Sequence, residues 1–174
     1  MNESILSVYW NNFISFDFLI FILAAVNVYF LVQSLQQSQA IASILYPKGY
    51  LPGGWDSYSD MKSHYDDVMN IKGEQTLIEH RRRMNLSYTI FENITTIFPL
   101  MGLLGTVISL IPMVKSIGTI EQGLFFSALT STFWGIVFAI IFKGINGYLE
   151  AGITEAEKNI QIFLDRYSTM VKRP

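Results

Sequence analysis

Three stretches of the chain stay apolar long enough to cross a bilayer: residues 13–33, 94–115 and 123–143. A hydrocarbon core about 30 Å thick needs roughly 20 residues of helix, so each is expected to be a membrane span. Beyond the third, Ile153, Ala156, Ile160, Phe163, Tyr167 and Met170 recur every three or four residues, with Glu155, Glu157, Lys158 and Asp165 between them. That period predicts an amphipathic helix over residues 144–174 that prolongs the third span and packs on other helices. In the polar segment 34–93, "YPKGYLPGGW" is dense enough in Pro and Gly to be a turn. From Asp56 a helix is expected to run through Arg81, Arg82 and Arg83 into the second span, with Gly73 as its weak interior point. Residues 1–12, with Ile5, Leu6, Val8, Tyr9 and Trp10, are too few to cross and read as an interfacial helix. Residues 116–122 form a short link. The expected fold class is an all-α membrane protein of three spans, the second and third extended beyond the lipid.

The placement of Lys and Arg gives these spans a direction. The head has none, and the link between the second and third spans has Lys115 only, at its edge. Segment 34–93 carries Lys48, Lys62, Lys72, Arg81, Arg82 and Arg83, and the tail carries Lys143, Lys158, Arg166, Lys172 and Arg173. The positive-inside bias puts the N-terminus and the link outside, and the middle segment and C-terminus in the cytoplasm. No basic region precedes the first span, where Glu3 and Asp17 are the only charges before Lys48, so it reads as a retained span and not as a cleaved signal.

Composition agrees and excludes other classes. The 174 residues are 51% hydrophobic and 15% charged, with a mean hydropathy of +0.33; that balance belongs to a membrane protein. A net charge of −2 offers no basic footprint for nucleic acid. With no cysteine, thiol catalysis, disulfides and cysteine-ligated metals are excluded, and His64 and His80 have no second ligand at metal-binding spacing. No phosphate loop or nucleophile elbow is present, so neither an enzyme nor a resident cofactor or metal is expected.

The chemistry of the spans lies in their hydroxyls. The second holds Thr95, Thr96, Thr106 and Ser109; the third holds Ser127, Thr130, Ser131 and Thr132. A single hydroxyl in hydrocarbon usually bonds back to its own helix or across to a neighbour. Ser127, Thr130 and Ser131 share one helical face, however, so part of that set is expected to look at something polar, with Thr132 offset from it. Gly102, Gly105 and Gly135 make smooth patches where another backbone can come close. Nothing ionisable occurs from Asn93 to Val114 or from Gln122 to Phe142. An ion path through these two spans would therefore need a charge from elsewhere.

"FPLMGLLGTVISLI", starting at Phe98, resembles the second-span signature of the MotA/TolQ/ExbB proton-channel family, a Pro followed by Gly-Leu-x-Gly-Thr-Val. "SALTSTFWGIVFAI", starting at Ser127, is similar to its third-span signature, Ala-Leu-x-x-Thr-x-x-Gly-Leu-x-x-Ala-Ile. The resemblance implies a channel-forming subunit of the bacterial inner membrane. Such subunits form a pentamer around two single-span partners of the ExbD, TolR or MotB kind, each bringing an intramembrane aspartate. These assemblies act as ion-driven motors or stators, and relatives serve outer-membrane and protein transport, envelope maintenance, motility and defence. Carried over by position, Thr106 and Thr132 match the threonines that line the ion path, Pro99 the proline at its entrance, and Gly102, Gly105 and Gly135 the small packing residues. Two positions depart from the pattern: Ser127 stands where many members have an acidic residue, and Ile141 where many have Pro. The first removes an in-chain acidic relay from the third span, and the second a proline bend.

The transported ion is expected to be H+. Na+ is the alternative, since Ser127, Thr130, Ser131 and Thr132 could supply oxygens. A non-conducting membrane scaffold of the same fold is the competing class. The remaining polar residues have plainer readings. Asp17 reads first as a solvated helix-start residue, with an ion relay as the lesser reading. Arg81, Arg82 and Arg83 anchor the helix on the positive side, with contact to anionic lipid as a lesser role. Glu92, near the cytoplasmic mouth, either gathers cations or pairs with an arginine of a neighbouring subunit.

Overall fold

The computed structural model describes residues 17–46, 58–115 and 122–171, and every regular element among them is helical. Helix α1 spans Phe18–Leu45, α2 Tyr58–Val68, α3 Ile71–Lys115 and α4 Gln122–Val171. The expected interfacial helix at residues 1–12, nearly all of the Pro/Gly turn and most of the link fall outside the described residues.

At about 1.5 Å rise per residue, α3 with its 45 residues is roughly 67 Å long and α4 with 50 is roughly 75 Å. Each is more than twice a hydrocarbon core of about 30 Å, so each carries an apolar span and a polar extension in one uninterrupted helix. Pro99 lies inside α3 without ending it. The expected helix from Asp56 is broken once, at Met69–Asn70. There Asn70 Oδ1 accepts a bond from the Gly73 N–H at 2.8 Å, and so caps the new helix. Gly73 is required at this corner, because a Cβ would overlap the carbonyl oxygens of Asp67 and Val68.

The chain divides into two compact units, Met1–Phe30 with Ile90–Asn146, and Leu31–Thr89 with Gly147–Pro174. The first contains the apolar parts of α1, α3 and α4. Its core is aromatic: Phe98 stacks on Phe142 with ring centroids 5.3 Å apart, and Phe91 meets Phe142 edge-on at 6.0 Å. Phe21 of α1 contacts Trp134 and Phe138 of α4 at 5.0 and 5.2 Å. The outer faces remain uncovered within the chain, with Leu100, Leu103, Val107, Leu129, Phe133 and Ile140 all more than half exposed. In a soluble domain so large an apolar surface would be a liability; here it suits lipid or partner helices.

The second unit packs α2 and the polar extensions. Ile41, Leu45, Leu77, Met84, Leu149, Ile153, Ala156, Ile160 and Phe163 are buried in it, and Tyr65 stacks flat on Phe163 with centroids 4.2 Å apart. The predicted face of α4 is thus filled at Ile153, Ala156, Ile160 and Phe163, while Tyr167 and Met170 are half-buried. Arg81 holds Glu157 through two bonds, Nε to Oε1 at 2.9 Å and Nη2 to Oε2 at 2.6 Å, and Asn85 Nδ2 adds a third at 3.0 Å. Partial burial of Glu157 works against its charge, but the bonds from Arg81 and Asn85 and the guanidinium charge outweigh it and hold the carboxyl below its ordinary range. A carboxyl lowered in the folded state stabilises the fold above its unfolded pKa and loses that contribution as the pH falls through the folded value. Glu157→Gln should therefore lower stability by about 0.5–1 kcal/mol at neutral pH. In thermal unfolding the gap to wild type should close below about pH 4; a gap independent of pH would rule out the ion pair as its cause.

Candidate ion-path site

The sequence "GLLGT" puts Gly102, Gly105 and Thr106 close together on one side of α3, and "STFWG" places Thr132 and Gly135 together on α4. Those two surfaces meet. Gly102 and Gly135 are both buried at the crossing. A Cβ built on Gly135 would lie 2.7 Å from the Phe98 carbonyl oxygen and 2.9 Å from the Gly102 Cα. One on Gly102 would lie 3.1 Å from the Thr132 Cα. Gly105 is buried on the same helix. Only residues without a side chain let the two backbones come this near, and the closeness brings the threonines together.

Thr106 Oγ1 and Thr132 Oγ1 are 2.7 Å apart, both half-buried. Thr106 Oγ1 also lies 2.9 Å from the Gly102 carbonyl oxygen, one turn back. The shortest contacts are satisfied together when Thr132 donates to Thr106 and Thr106 donates to Gly102. Longer contacts of 3.3 Å join Thr132 Oγ1 to the carbonyls of Gly102 and Ala128. A hydroxyl has one proton and two lone pairs, so in this arrangement both lone pairs of Thr132 remain free for a donor or a cation. The pair is bordered by the exposed apolar residues Leu103, Val107, Leu129 and Ile136. Chemically this is a small oxygen-bearing spot in an apolar wall, suited to solvating an ionisable group brought by another helix.

Three other hydroxyls have described partners elsewhere. Ser131 is fully buried and donates to Asp17 Oδ1 at 2.6 Å. Thr130 is half-buried, and the side chain of Ser127 lies outside the described residues. Thr95 and Thr96 bond back to the carbonyls of Phe91 and Asn93, each at 2.8 Å, the common fate of a lone hydroxyl in an apolar helix. Glu92 is half-buried one turn before Thr96, and the ion pairs described, Arg81–Glu157 and Arg83–Glu79, do not include it. Pro99 is on the exposed side of α3. Among the described residues no group of three or more His, Asp or Glu comes together that could hold a metal ion.

Two polar residues, one just before α1 and one inside it, differ from the first sequence reading. Asp17 is not solvated but 4% exposed, because the packing of α1 on α4 sets it against Ser131. A carboxyl therefore does reach the third span, supplied by the first. Asn27, in the middle of an apolar run, is fully buried and donates from Nδ2 to Thr95 Oγ1 at 3.0 Å. Its Oδ1 and that of Asn146 are buried without a hydrogen-bond partner among the described residues.

Residues 54–162 match the family model described as the MotA/TolQ/ExbB proton channel family. The chain belongs to that family. No match is found among curated proteins or among solved structures. The matched region includes both glycine surfaces and both threonines of the pair, so in this MotA/TolQ/ExbB protein the family's segment and the site coincide. With three helices apolar and long enough to span, it is a multi-pass membrane protein of a proton-channel family.

Proposed function

We propose that this protein is the channel-forming subunit of a proton-driven motor in the bacterial inner membrane. In this reading it assembles as a pentamer around two single-span partners, each of which brings an aspartate to the Thr106–Thr132 pair. The N-terminus faces outward, and the charged extensions of α3 and α4 stand in the cytoplasm. The observation that carries the reading is the hydroxyl pair itself, 2.7 Å apart in an otherwise apolar wall. A partner carboxyl passing this wall is solvated at the pair and dry elsewhere, so the pair marks where a proton can be exchanged. The uncovered apolar surface around it offers a seat for the partner helix.

Protons are favoured over sodium because the matching family model is described as a proton channel family. On α4, Ser131 turns to Asp17 and Thr132 to Thr106.

The test is to isolate the complex from its native membrane under mild detergent, identify what accompanies it by mass spectrometry, and reconstitute it. A small single-span protein with an aspartate in its span is expected, together with flux that follows the proton gradient and is indifferent to sodium at fixed pH. Recovery of a bare oligomer that conducts nothing would favour the scaffold, and sodium-dependent flux would change the ion.

A further inference from the structure

The Thr106–Thr132 pair leaves one buried titratable group of the apolar unit unused. Asp17 is 4% exposed, and its described hydrogen bond is the one from Ser131 Oγ at 2.6 Å. Ser131 is fully buried and lies near the middle of the 123–143 stretch. An ionisable side chain bonded there to a neutral hydroxyl calls for a functional account, because intramembrane charges are rare and costly. One turn along α1, Phe21 meets Trp134 of α4 at a centroid distance of 5.0 Å, and Ile20 is fully buried.

The apolar stretches of the helices that form this unit hold no cationic residue; Lys115 and Lys143 stand at the ends of those stretches. The sequence of α1 contains no Asp, Glu, Lys, Arg or His, and neither do residues 93–114 of α3 or 122–142 of α4.

We infer that Asp17 and Ser131 form a second proton-holding site, built by this chain alone on a different side of α4 from the threonine pair. The chemistry of the pair permits it. A carboxylate accepts the serine proton, and a carboxylic acid donates its own to the serine oxygen; the contact between α1 and α4 persists in both states with the bond reversed. One carboxyl and one hydroxyl suffice to hold a proton, whereas a sodium ion needs further oxygens around it; the occupant proposed is a proton. Consecutive helical residues point about 100° apart. Ser131 and Thr132 are therefore gripped from two directions at one level, by Asp17 from α1 and by Thr106 from α3. The proton-holding site needs no partner; its influence on Thr132 rests on the motor reading.

The test is infrared difference spectroscopy on the full-length oligomer in detergent, stepped through pH, with wild type, Asp17→Asn and Ser131→Ala compared in sodium and in potassium salts. Wild type should show a protonated-carboxyl C=O band that is lost as the pH rises. Asp17→Asn should lack that band, and Ser131→Ala should shift its frequency. If Asp17→Asn fails to elute as a folded oligomer, Ser131→Ala, which keeps the carboxyl, decides the matter. Spectra of wild type and Asp17→Asn that coincide at every pH would overturn the proposal, as would a band unmoved in Ser131→Ala. A band that titrates only when sodium is exchanged for potassium would replace the proton by sodium. Should the reconstituted complex conduct nothing while the Asp17 band still titrates, the motor reading falls and this site stands.

Discussion

Thr132→Val is expected to leave the oligomer assembled and to abolish most of its ion flux. Valine has the shape of threonine without the hydroxyl, so the close crossing at Gly102 and Gly135 is undisturbed, and the change is confined to one oxygen and one proton. The hydroxyl is the half of the pair whose lone pairs remain free once Thr106 has bonded to Gly102. Removing a polar group that would solvate a buried ion costs about 1–3 kcal/mol, which corresponds to a fall in rate of roughly 5- to 150-fold. Thr106→Val should show the same sign and a smaller effect, since Thr106 already spends its proton on its own helix. The double variant should be no worse than the product of the two, and less than that if the pair acts as one unit. Flux in proteoliposomes measures the effect, and size-exclusion elution checks the assembly. Wild-type flux in both single variants would remove the pair from the ion path, and the proposed function with it.

The span pattern made the helical architecture legible, because length and apolarity are local properties of a sequence. The small-residue surfaces were legible too: Gly102 and Gly135 stand out in apolar helices, and their use as a backbone contact follows from having no side chain. Thr132 looked offset from the serine and threonine face, and the structure supplies the reason, since its partner is on α3 while that of Ser131 is on α1. What could not be read is how one helix registers against another. Asp17 sits near the start of an apolar run, which by sequence alone suggests water; the register of α1 against α4 instead carries it to the level of Ser131. Asn27 was a visible signal, an amide among apolar neighbours, and its pairing with Thr95 was within reach of the argument that polar groups in spans find one another. The corner at Met69–Asn70 is hidden for a different reason. Helix propensity marks Gly73 only as a weak point, whereas what it provides is room for the carbonyls of α2 beside a capping Asn70.

Gly135→Ala should damage both the crossing of α3 and α4 and the site it holds. In an exposed helix interior the substitution stabilises by about 1 kcal/mol through helix propensity, and that gain applies here as elsewhere. Against it stands a Cβ 2.7 Å from the Phe98 carbonyl oxygen and 3.0 Å from the Gly102 nitrogen. Both are backbone atoms, which cannot swing aside as a flexible side chain would, so the helices must part. Overpacking of this kind costs about 1–3 kcal/mol, and the parting stretches the Thr106–Thr132 contact that the crossing holds at 2.7 Å. The expected result is a lower melting temperature together with loss of flux. Gly144→Ala provides the control on the same helix, because a Cβ there meets nothing within 4 Å in the chain. That variant should be as stable as wild type or slightly more so, and should conduct. Equal stability and flux in the two variants would mean that the approach of α3 to α4 does not govern the site.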